Sequence, residues 1–187
     1  METPKNHRTF VLLNFTIKNN STMKVAFTKV KIYDELSRET ICFTAVVSLD
    51  GEKIYVKNDG NGGCNDYNWD TPLAGEKFQK WCQTLVGENK DPDYPITTLI
   101  LREDVKKKNQ KKAIVYKDGN DGQIYLYKYT IKGVSPSKVM EVMQFSPSNR
   151  EKVIAKCKEI EEAGGTILND NLWCYRHYKV NLHLEKN

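Results

Sequence analysis

The strongest hairpin signal in the chain is TICFTAVVSLDGEKIYVK, residues 40–57. Its two halves are rich in β-branched and aromatic residues, which favour strands. Between them, Asp50-Gly51 is the kind of dipeptide that a two-residue hairpin turn prefers, because both central residues of that turn need a positive φ. The sequence therefore predicts a strand over 40–49 that returns as a strand over 53–57.

Two more strands are predicted upstream of this hairpin. They are RTFVLLNFTIK, residues 8–18, and TMKVAFTKVKIY, residues 22–33, and Asn19-Asn20-Ser21 between them is typical of a turn. In the second run the alternation of apolar residues slips near Thr28–Lys29, which indicates a β-bulge. The first part of the chain is therefore predicted to form strands.

The rest of the chain mixes helices with further strands. A helix is predicted to be capped by Asp70 or Thr71, with Pro72 in its first turn, and to end at Gly87. Its apolar face consists of Phe78, Trp81, Cys82 and Leu85. The remaining predicted elements are, in chain order, a strand at 96–101, a hairpin of 113–117 and 123–132, a helix from Ser135-Pro136 to Ser146-Pro147, a helix capped by Ser148, a strand at 166–168 and a final strand at 172–184.

Together these elements predict an α+β fold: a mostly antiparallel sheet of hairpins with about three helices packed on it, in a single domain over 1–187. A chain of 187 residues that is 39% hydrophobic and 28% charged can bury a core without a disulfide or a metal. Its five cysteines show no C-x-x-C spacing and are expected to be free thiols. No apolar run approaches the roughly 20 residues that span a bilayer, and the N-terminus lacks the layout of a signal peptide. We therefore expect a soluble cytoplasmic protein with no membrane partner.

The net charge of +5 is unevenly distributed along the chain. Residues 1–31 contain six Lys or Arg against one acid, and residues 102–132 contain nine against four. Such asymmetry favours an anionic partner, with nucleic acid among the candidates. The alternative is an ordinary solvated surface of mixed charge.

A glycine- and asparagine-rich loop is predicted over residues 58–72, NDGNGGCNDYNWDTP. Its backbone could form an anion-binding nest, but the loop contains no GxxxxGK[ST] motif, and Cys64 occupies the glycine position of a calcium loop. We therefore expect no metal site. The alternatives are a structural turn, which its Asn and Asp side chains favour, and a ligand surface. The candidate ligand-binding residues are Asn58, Asp59, Asn61, Asn65, Asp66 and Tyr67.

The order E-T-x-x-F-x-A, D-G, N-D-G-x-G-G-x-N-x-Y resembles a group of phage and prophage-encoded proteins. It is formed here by Glu39, Thr40, Phe43, Ala45, Asp50, Gly51, Asn58, Asp59, Gly60, Gly62, Gly63, Asn65 and Tyr67. The resemblance covers about thirty residues directly, 39–67, and brings no catalytic residue with it. It implies a small accessory protein made during infection, of a kind that binds host proteins or sequesters host defence signals.

A second candidate surface combines the lysine run of residues 106–112, KKKNQKK, with the tyrosines that follow it. Lysines attract phosphates, and tyrosine rings can stack on bases. Alternation along a strand puts the three tyrosines on one face. The candidate residues are Lys107, Lys108, Lys111, Tyr125, Tyr127 and Tyr129. The alternative is that the lysines form a solvated loop and the tyrosines pack beneath a helix.

Other reactive side chains show no arrangement typical of catalysis. Cys174, His177 and His183 fall on the predicted last strand, where the first two would point to opposite faces and the two histidines would share a face. The third histidine, His7, lies near the N-terminus. Glu159, Glu161 and Glu162 lie on the polar side of a predicted helix and are expected to be solvated. We expect no catalytic residues and no cofactor.

The sequence thus favours a non-enzymatic phage-type binding protein that antagonises host defence in the host cytoplasm. It would sequester a nucleotide-like small molecule or mask a host defence protein. Nucleic-acid binding through the lysines and tyrosines is one alternative. A nucleotide-processing enzyme that uses Asp59 and Asp66 is the other. A homo-oligomer is an open expectation.

Overall fold

A computed structural model describes residues 13–16, 22–87 and 90–184, with the backbone alone for 13–16, 22 and 181–184. The fold is α+β, as predicted, and the described residues form two antiparallel sheets and five α-helices. The chain divides into two compact units, residues 1–104 and 105–187. The single domain over 1–187 stays a prediction.

The first unit contains a sheet with the strand order β1-β2-β3-β4-β5, in which each neighbouring pair is antiparallel. Its strands are β1 Leu13–Thr16, β2 Thr22–Ile32, β3 Phe43–Leu49, β4 Glu52–Asn58 and β5 Asp66–Trp69. The predicted strand over 8–18 is confirmed at 13–16, and the rest of it, like the predicted turn at 19–21, lies outside the described residues.

The hairpin of β3 and β4 is confirmed, with Asp50 at φ 48° and Gly51 at φ 94°. Its first strand begins at Phe43 rather than at 40, because the backbone N–H of Cys42 is bound by the Ser37 hydroxyl at 2.9 Å. The predicted bulge in β2 is also confirmed: the register shifts between Thr28 and Lys31. The prediction that 58–72 is entirely loop is wrong, since β5 pairs with β4 there.

Two helices follow, α1 Pro72–Val86 and α2 Asp93–Asn109. Helix α1 confirms its prediction: the Thr71 hydroxyl accepts a hydrogen bond from the Ala74 N–H at 3.1 Å, and Gly87 ends the helix at φ 80°. The predicted strand at 96–101 is wrong and lies within α2. Ile96 and Ile100 are both fully buried four residues apart, so a helical burial pattern prevails over their strand propensity.

The core of the first unit lies between one face of the sheet and these helices. Inward side chains of the strands pack against the inward face of α1 and against Ile96 and Ile100 of α2. The largest members are Phe27, Phe43, Leu49, Ile54, Phe78 and Trp81. Burial of this face holds the strands in register, because a slip of one residue would turn every apolar side chain outward.

The second unit contains a three-stranded sheet of order β7-β6-β8 and three helices within its described residues. Its elements are β6 Ala113–Lys117, β7 Ile124–Lys128, α3 Val139–Phe145, α4 Pro147–Glu162, β8 Thr166–Ile167 and α5 Trp173–Leu184. The predicted hairpin of β6 and β7 is confirmed. Its core joins Ile114 of β6 to buried residues of the helices, among them Met140, Val153, Cys157, Ile160 and Leu172.

Two predictions in this unit are wrong. Helix α4 is capped at Ser146 and not at Ser148, because Pro147 already occupies its first turn. The predicted final strand at 172–184 is helix α5. Leu172 and Tyr175 are both buried three residues apart, a spacing that puts them on one helical face. With 96–101 also helical, five α-helices replace the three expected.

Candidate functional site

Asn58 is the centre of a hydrogen-bond network in the 58–66 loop. Its Oδ1 accepts hydrogen bonds from the Thr40 hydroxyl at 2.7 Å and from the Gly60 N–H at 2.9 Å. Its Nδ2 donates to Asn65 Oδ1 at 3.1 Å. Both asparagines are buried, so these bonds replace those that water would otherwise supply.

Asn65 connects the loop to the first turn of α2. Its backbone N–H donates to Asp93 Oδ2 at 2.6 Å, and its Nδ2 donates to the Thr97 hydroxyl at 3.1 Å. The Tyr67 hydroxyl donates to Asp93 Oδ1 at 2.5 Å. Burial raises the pKa of Tyr67, and the hydrogen bond to Asp93 raises it further. Tyr67 therefore stays protonated and acts as a donor within the fold.

Gly60 explains why the loop needs glycine. Its φ is +83°, and a Cβ there would lie 2.3 Å from the Leu36 carbonyl oxygen. The Gly60 carbonyl accepts hydrogen bonds from three successive N–H groups, those of residues 38–40. Gly60 therefore connects residues 38–40 to the loop.

The six candidate ligand residues of the loop fall into two sets. Asn58, Asn65 and Tyr67 direct their polar atoms into the fold. Asp59, Asn61 and Asp66 are exposed. Asp59 accepts the Asn61 N–H at 3.0 Å, which lowers the pKa of Asp59, and Asp66 pairs with Lys57 at 3.3 Å. These contacts support the structural-turn alternative, and a ligand role for the exposed set stays a prediction.

The tyrosines of the second unit form a surface that also includes a residue of α4. We define the tyrosine surface as Tyr116, Tyr125, Tyr127, Tyr129 and Lys156. The Tyr116 and Tyr125 rings stack with centroids 5.9 Å apart, and those of Tyr127 and Tyr129 meet edge to face at 5.1 Å. Lys156 Nζ lies 4.6 Å from the centre of the Tyr127 ring. Tyr125 and Tyr127 remain 43% and 38% exposed.

The lysine run does not form the predicted cationic loop. Lys107 and Lys108 lie in the last turn of α2, where the helix dipole favours positive charge, and Lys111 lies between α2 and β6. Lys106 is 2% exposed and pairs with Asp170 at 3.2 Å. Lys107 and Lys108 therefore lie at a helix end and Lys106 in a buried ion pair, and a ligand role for Lys107, Lys108 and Lys111 stays a prediction.

The sequence analysis missed a third surface, on the side of the first unit's sheet that faces away from its core. Pairing across β2, β3, β4 and β5 aligns its side chains in three rows. They are Lys31–Thr44–Lys57–Asp66, Thr28–Val46–Tyr55–Asn68 and Ala26–Ser48–Lys53. We call these rows, with Lys29 at the bulge, the lysine face. Among their residues Asp66 is the one acid.

Two grooves lie on the lysine face, with volumes of about 270 and 280 Å³. Both are lined by Lys29, Val46 and Tyr55. The first also reaches Lys57, and the second reaches Lys53. The row that contains Val46 and Tyr55 therefore forms a low ridge between two lysine-lined depressions.

A sequence signal for this surface does exist in β4. Lys53, Tyr55 and Lys57 alternate with Ile54 and Val56, and the structure exposes the first set and buries the second. The alternation alone shows two lysines and a tyrosine on one face. The contributions of Lys29 and Lys31 depend on strand pairing, which the sequence does not specify.

The thiols and histidines do not form a catalytic or metal site within the described residues. On α5, Cys174 and His177 are one helical turn apart rather than on opposite strand faces, but Cys174 is buried and His177 is exposed. The predicted shared strand face of His177 and His183 is also wrong, because both positions belong to α5. His7 lies outside the described residues. No group of three or more His, Cys, Asp or Glu within 13–16, 22–87 and 90–184 could hold a metal ion.

Burial keeps two of the thiols protonated. It raises the pKa of Cys82 to about 12, with Asp93 contributing, and raises the pKa of Cys157 to about 12. A thiol needs its thiolate form to act as a nucleophile. Neither cysteine is therefore suited to nucleophilic chemistry near neutral pH.

Comparison with known proteins yields no match among family models, curated proteins or solved structures. The resemblance of residues 39–67 to phage-encoded proteins therefore stays a prediction. None of the helices in the described part of the chain has the length and apolar character needed to cross a membrane.

Proposed function

We propose that this chain is a non-enzymatic binding protein that holds a nucleotide-like small molecule against the tyrosine surface. In the predicted phage context it would act in the host cytoplasm and lower the free concentration of a host defence signal. Masking of a host defence protein and nucleotide processing stay predictions that the contacts described above favour less.

The main support is the exposure of two neighbouring rings on an edge strand. Tyr125 and Tyr127 lie two residues apart on β7, on the same face, and are 43% and 38% exposed. Each could stack on a base, a contact worth about 1–3 kcal/mol per base in single-strand binding proteins. Hydrogen bonds hold two rings of the surface in place: the Tyr125 hydroxyl donates to Asp121 at 2.8 Å, and the Tyr129 hydroxyl donates to the Lys152 carbonyl at 3.3 Å.

Helix α4 supplies positive charge beside the rings. Lys156 lies over Tyr127, and Lys152 precedes it by one helical turn. A hydrogen bond to Glu159 at 2.5 Å raises the pKa of Lys156, so its ammonium group stays charged at neutral pH. A base on the rings with its phosphate toward α4 would match this arrangement.

The contacts of the acidic residues support binding without turnover. Asp59 and Asp66, the acids of the enzymatic alternative, are engaged by Asn61 and Lys57. A hydrogen bond from the Asn61 backbone lowers the pKa of Asp59, so Asp59 is a carboxylate at neutral pH and cannot donate a proton to a leaving group.

The test is isothermal titration of the full chain with a panel of mononucleotides, dinucleotides and cyclic dinucleotides. One of them should bind and be recovered intact after denaturation. The double variant Tyr125→Ala, Tyr127→Ala should weaken binding by about 10- to 100-fold because it removes both stacking rings. The matched control is Tyr94→Ala, which removes a tyrosine that is 82% exposed in the first unit.

Three outcomes would contradict the proposal. The first is a panel in which nothing binds. The second is recovery of a chemically altered ligand, which would establish the enzymatic alternative. The third is an equal loss of affinity in the control, which would show that the tyrosine surface is not the site.

A further inference from the structure

We infer that the lysine face of the first unit binds single-stranded nucleic acid, with the phosphodiester chain crossing the ridge formed by Val46 and Tyr55. This site is separate from the tyrosine surface and does not rest on the function proposed for it. Four properties of the face support this binding: its rigidity, its charge, the spacing of its lysines and the shape of its grooves.

The strands beneath this face are fixed from the other side. The inward residues of β3 and β4 are buried in the core, including Phe43, Val47, Ile54 and Val56. The outward residues Thr44 and Tyr55 are exposed. A ligand would therefore meet a preformed surface and would not have to order it, which reduces the cost of binding.

Charge selects the chemical class of the ligand. Lys29, Lys31, Lys53 and Lys57 belong to the face, against Asp66 among the acids of its rows. Lys57 and Asp66 pair at 3.3 Å, yet both side chains remain more than two thirds exposed, at 67% and 72%, so the pair is open to exchange for a phosphate. A surface with this excess of lysine is complementary to a polyanion.

Spacing indicates a chain of phosphates rather than a single one. Lys53 and Lys57 are four residues apart on β4, about 13 Å at the usual rise of a strand, and Tyr55 lies midway between them. Lys31 and Lys57 are two strands apart, about 10 Å. Two lysines this far apart, with a ring between them, match two phosphates that are not adjacent along one strand, with a base between them on the ring.

The shape of the face fits an extended ligand. The grooves of about 270 and 280 Å³ share Val46 and Tyr55, so a chain that leaves one groove over the ridge enters the other. Thr44, Ser48 and Asn68 add hydroxyl and amide groups that can bond to sugars or base edges. A mononucleotide would occupy only one of the grooves.

An exposed ring favours single strands over duplexes. Stacking on Tyr55 requires an unpaired base with a free face, and a duplex hides its base faces in its own stack. Tyr55 is 39% exposed, and its hydroxyl donates a hydrogen bond to Asp70 at 3.2 Å, which fixes the hydroxyl end of the ring. The hydrogen bond to Asp70 raises the pKa of Tyr55, which keeps the ring neutral beside the phosphates.

The test is fluorescence anisotropy of the full chain with a labelled ten-nucleotide oligothymidylate at low salt. The double variant Lys53→Glu, Lys57→Glu should weaken binding by at least tenfold. Tyr55→Ala should weaken it by about 5- to 100-fold through lost stacking, with the dependence on salt preserved. The matched control is the double variant Lys80→Glu, Lys90→Glu, which makes the same change in net charge at two exposed lysines outside the rows of the lysine face, and circular dichroism establishes that each variant is folded.

Two results would overturn the inference. One is an equal loss of affinity in the double control Lys80→Glu, Lys90→Glu, which would mean that net charge alone drives binding. The other is competition by an unlabelled duplex at the same phosphate concentration that is as strong as competition by the single strand, which would remove the role of stacking. In either case nucleotide binding at the tyrosine surface, measured separately with the Tyr125 and Tyr127 variants, would be unaffected.

Discussion

The lysine face and the tyrosine surface use similar residues in opposite proportions. On the lysine face one exposed ring, Tyr55, lies among lysines of two strands, β2 and β4. On the tyrosine surface four rings lie together, and acids already bind two of its polar groups, Asp121 at Tyr125 and Glu159 at Lys156. Acids also bind two groups of the first surface, Asp66 at Lys57 and Asp70 at Tyr55, so the two surfaces differ in the excess of lysines on the first and the larger ring area of the second.

This difference predicts two modes of binding. Charge attracts any phosphate chain, so the lysine face should be tolerant of sequence and sensitive to salt. Stacking on rings displaces few counterions, so binding at the tyrosine surface should be much less sensitive to salt.

We expect the largest change in stability from a substitution in the loop that connects β4 and β5, the strands that contain Lys57 and Asp66. In Asn65→Ala the buried amide is lost, so Asn58 Nδ2 loses the nearer of its two acceptors and the Thr97 hydroxyl loses the Asn65 amide. We expect the free energy of unfolding of the first unit to fall by about 2–3 kcal/mol, the cost of leaving buried polar groups unsatisfied. Hydrogen exchange should show lost protection in β4 and β5 and unchanged protection in β6 and β7.

The control for this prediction is Asn61→Ala, which changes an exposed residue of the same loop. It should alter the free energy of unfolding by less than about 0.5 kcal/mol. Equal effects of the two variants would show that the buried network does not hold the loop. The lysine face would then lack the support that distinguishes it from an ordinary exposed sheet.

Local signals made much of the fold predictable. Asp50-Gly51, the Thr71 cap and Gly87 each act through their own backbone or that of a near neighbour, so their effects are visible in sequence. The elements at 96–101 and 172–184 were mistaken for strands because β-branched and aromatic residues fill them. Their helical form depends on burial against other elements, a tertiary effect that propensity does not contain.

The candidate sites were less predictable for the same reason. The polar residues of the 58–66 loop are conspicuous in sequence, but their partners Thr40, Asp93 and Thr97 lie elsewhere in the chain. Without those partners, a satisfied turn and an open ligand loop look alike. The lysine face required the register of β2, β3 and β4, because its rows combine residues from separate strands.

The two surfaces should also differ in how strongly salt weakens binding to them, and we expect this difference to be of intermediate size. If about three phosphates contact the lysine face, a rise from 50 to 200 mM KCl should weaken oligothymidylate binding by roughly 20-fold, from a slope of about −0.7 per phosphate. Nucleotide binding at the tyrosine surface, with about one phosphate contact, should weaken by no more than roughly threefold. Anisotropy and calorimetry over the same salt series measure both, and parallel slopes would remove the distinction between the surfaces.

The smallest expected effect is a gain. Asp66→Asn removes the acid that pairs with Lys57 at 3.3 Å while keeping the shape of the side chain. Since exposed pairs contribute about 0–1 kcal/mol, stability should barely change, while Lys57 becomes free for a phosphate. We expect oligothymidylate to bind about two- to fivefold more tightly at 50 mM KCl, and this gain to shrink at 200 mM, where screening weakens exposed charges.

Asp121→Asn makes the same substitution at the tyrosine surface, where Asp121 binds the Tyr125 hydroxyl, and it is the matched control. It should leave oligothymidylate affinity unchanged, because Asp121 does not belong to the lysine face. An equal gain in both variants would assign the effect to net charge. Weaker binding in Asp66→Asn would mean that this carboxylate contacts the nucleic acid directly, for instance by accepting from a base, and that the first row of the face reads the ligand instead of only attracting it.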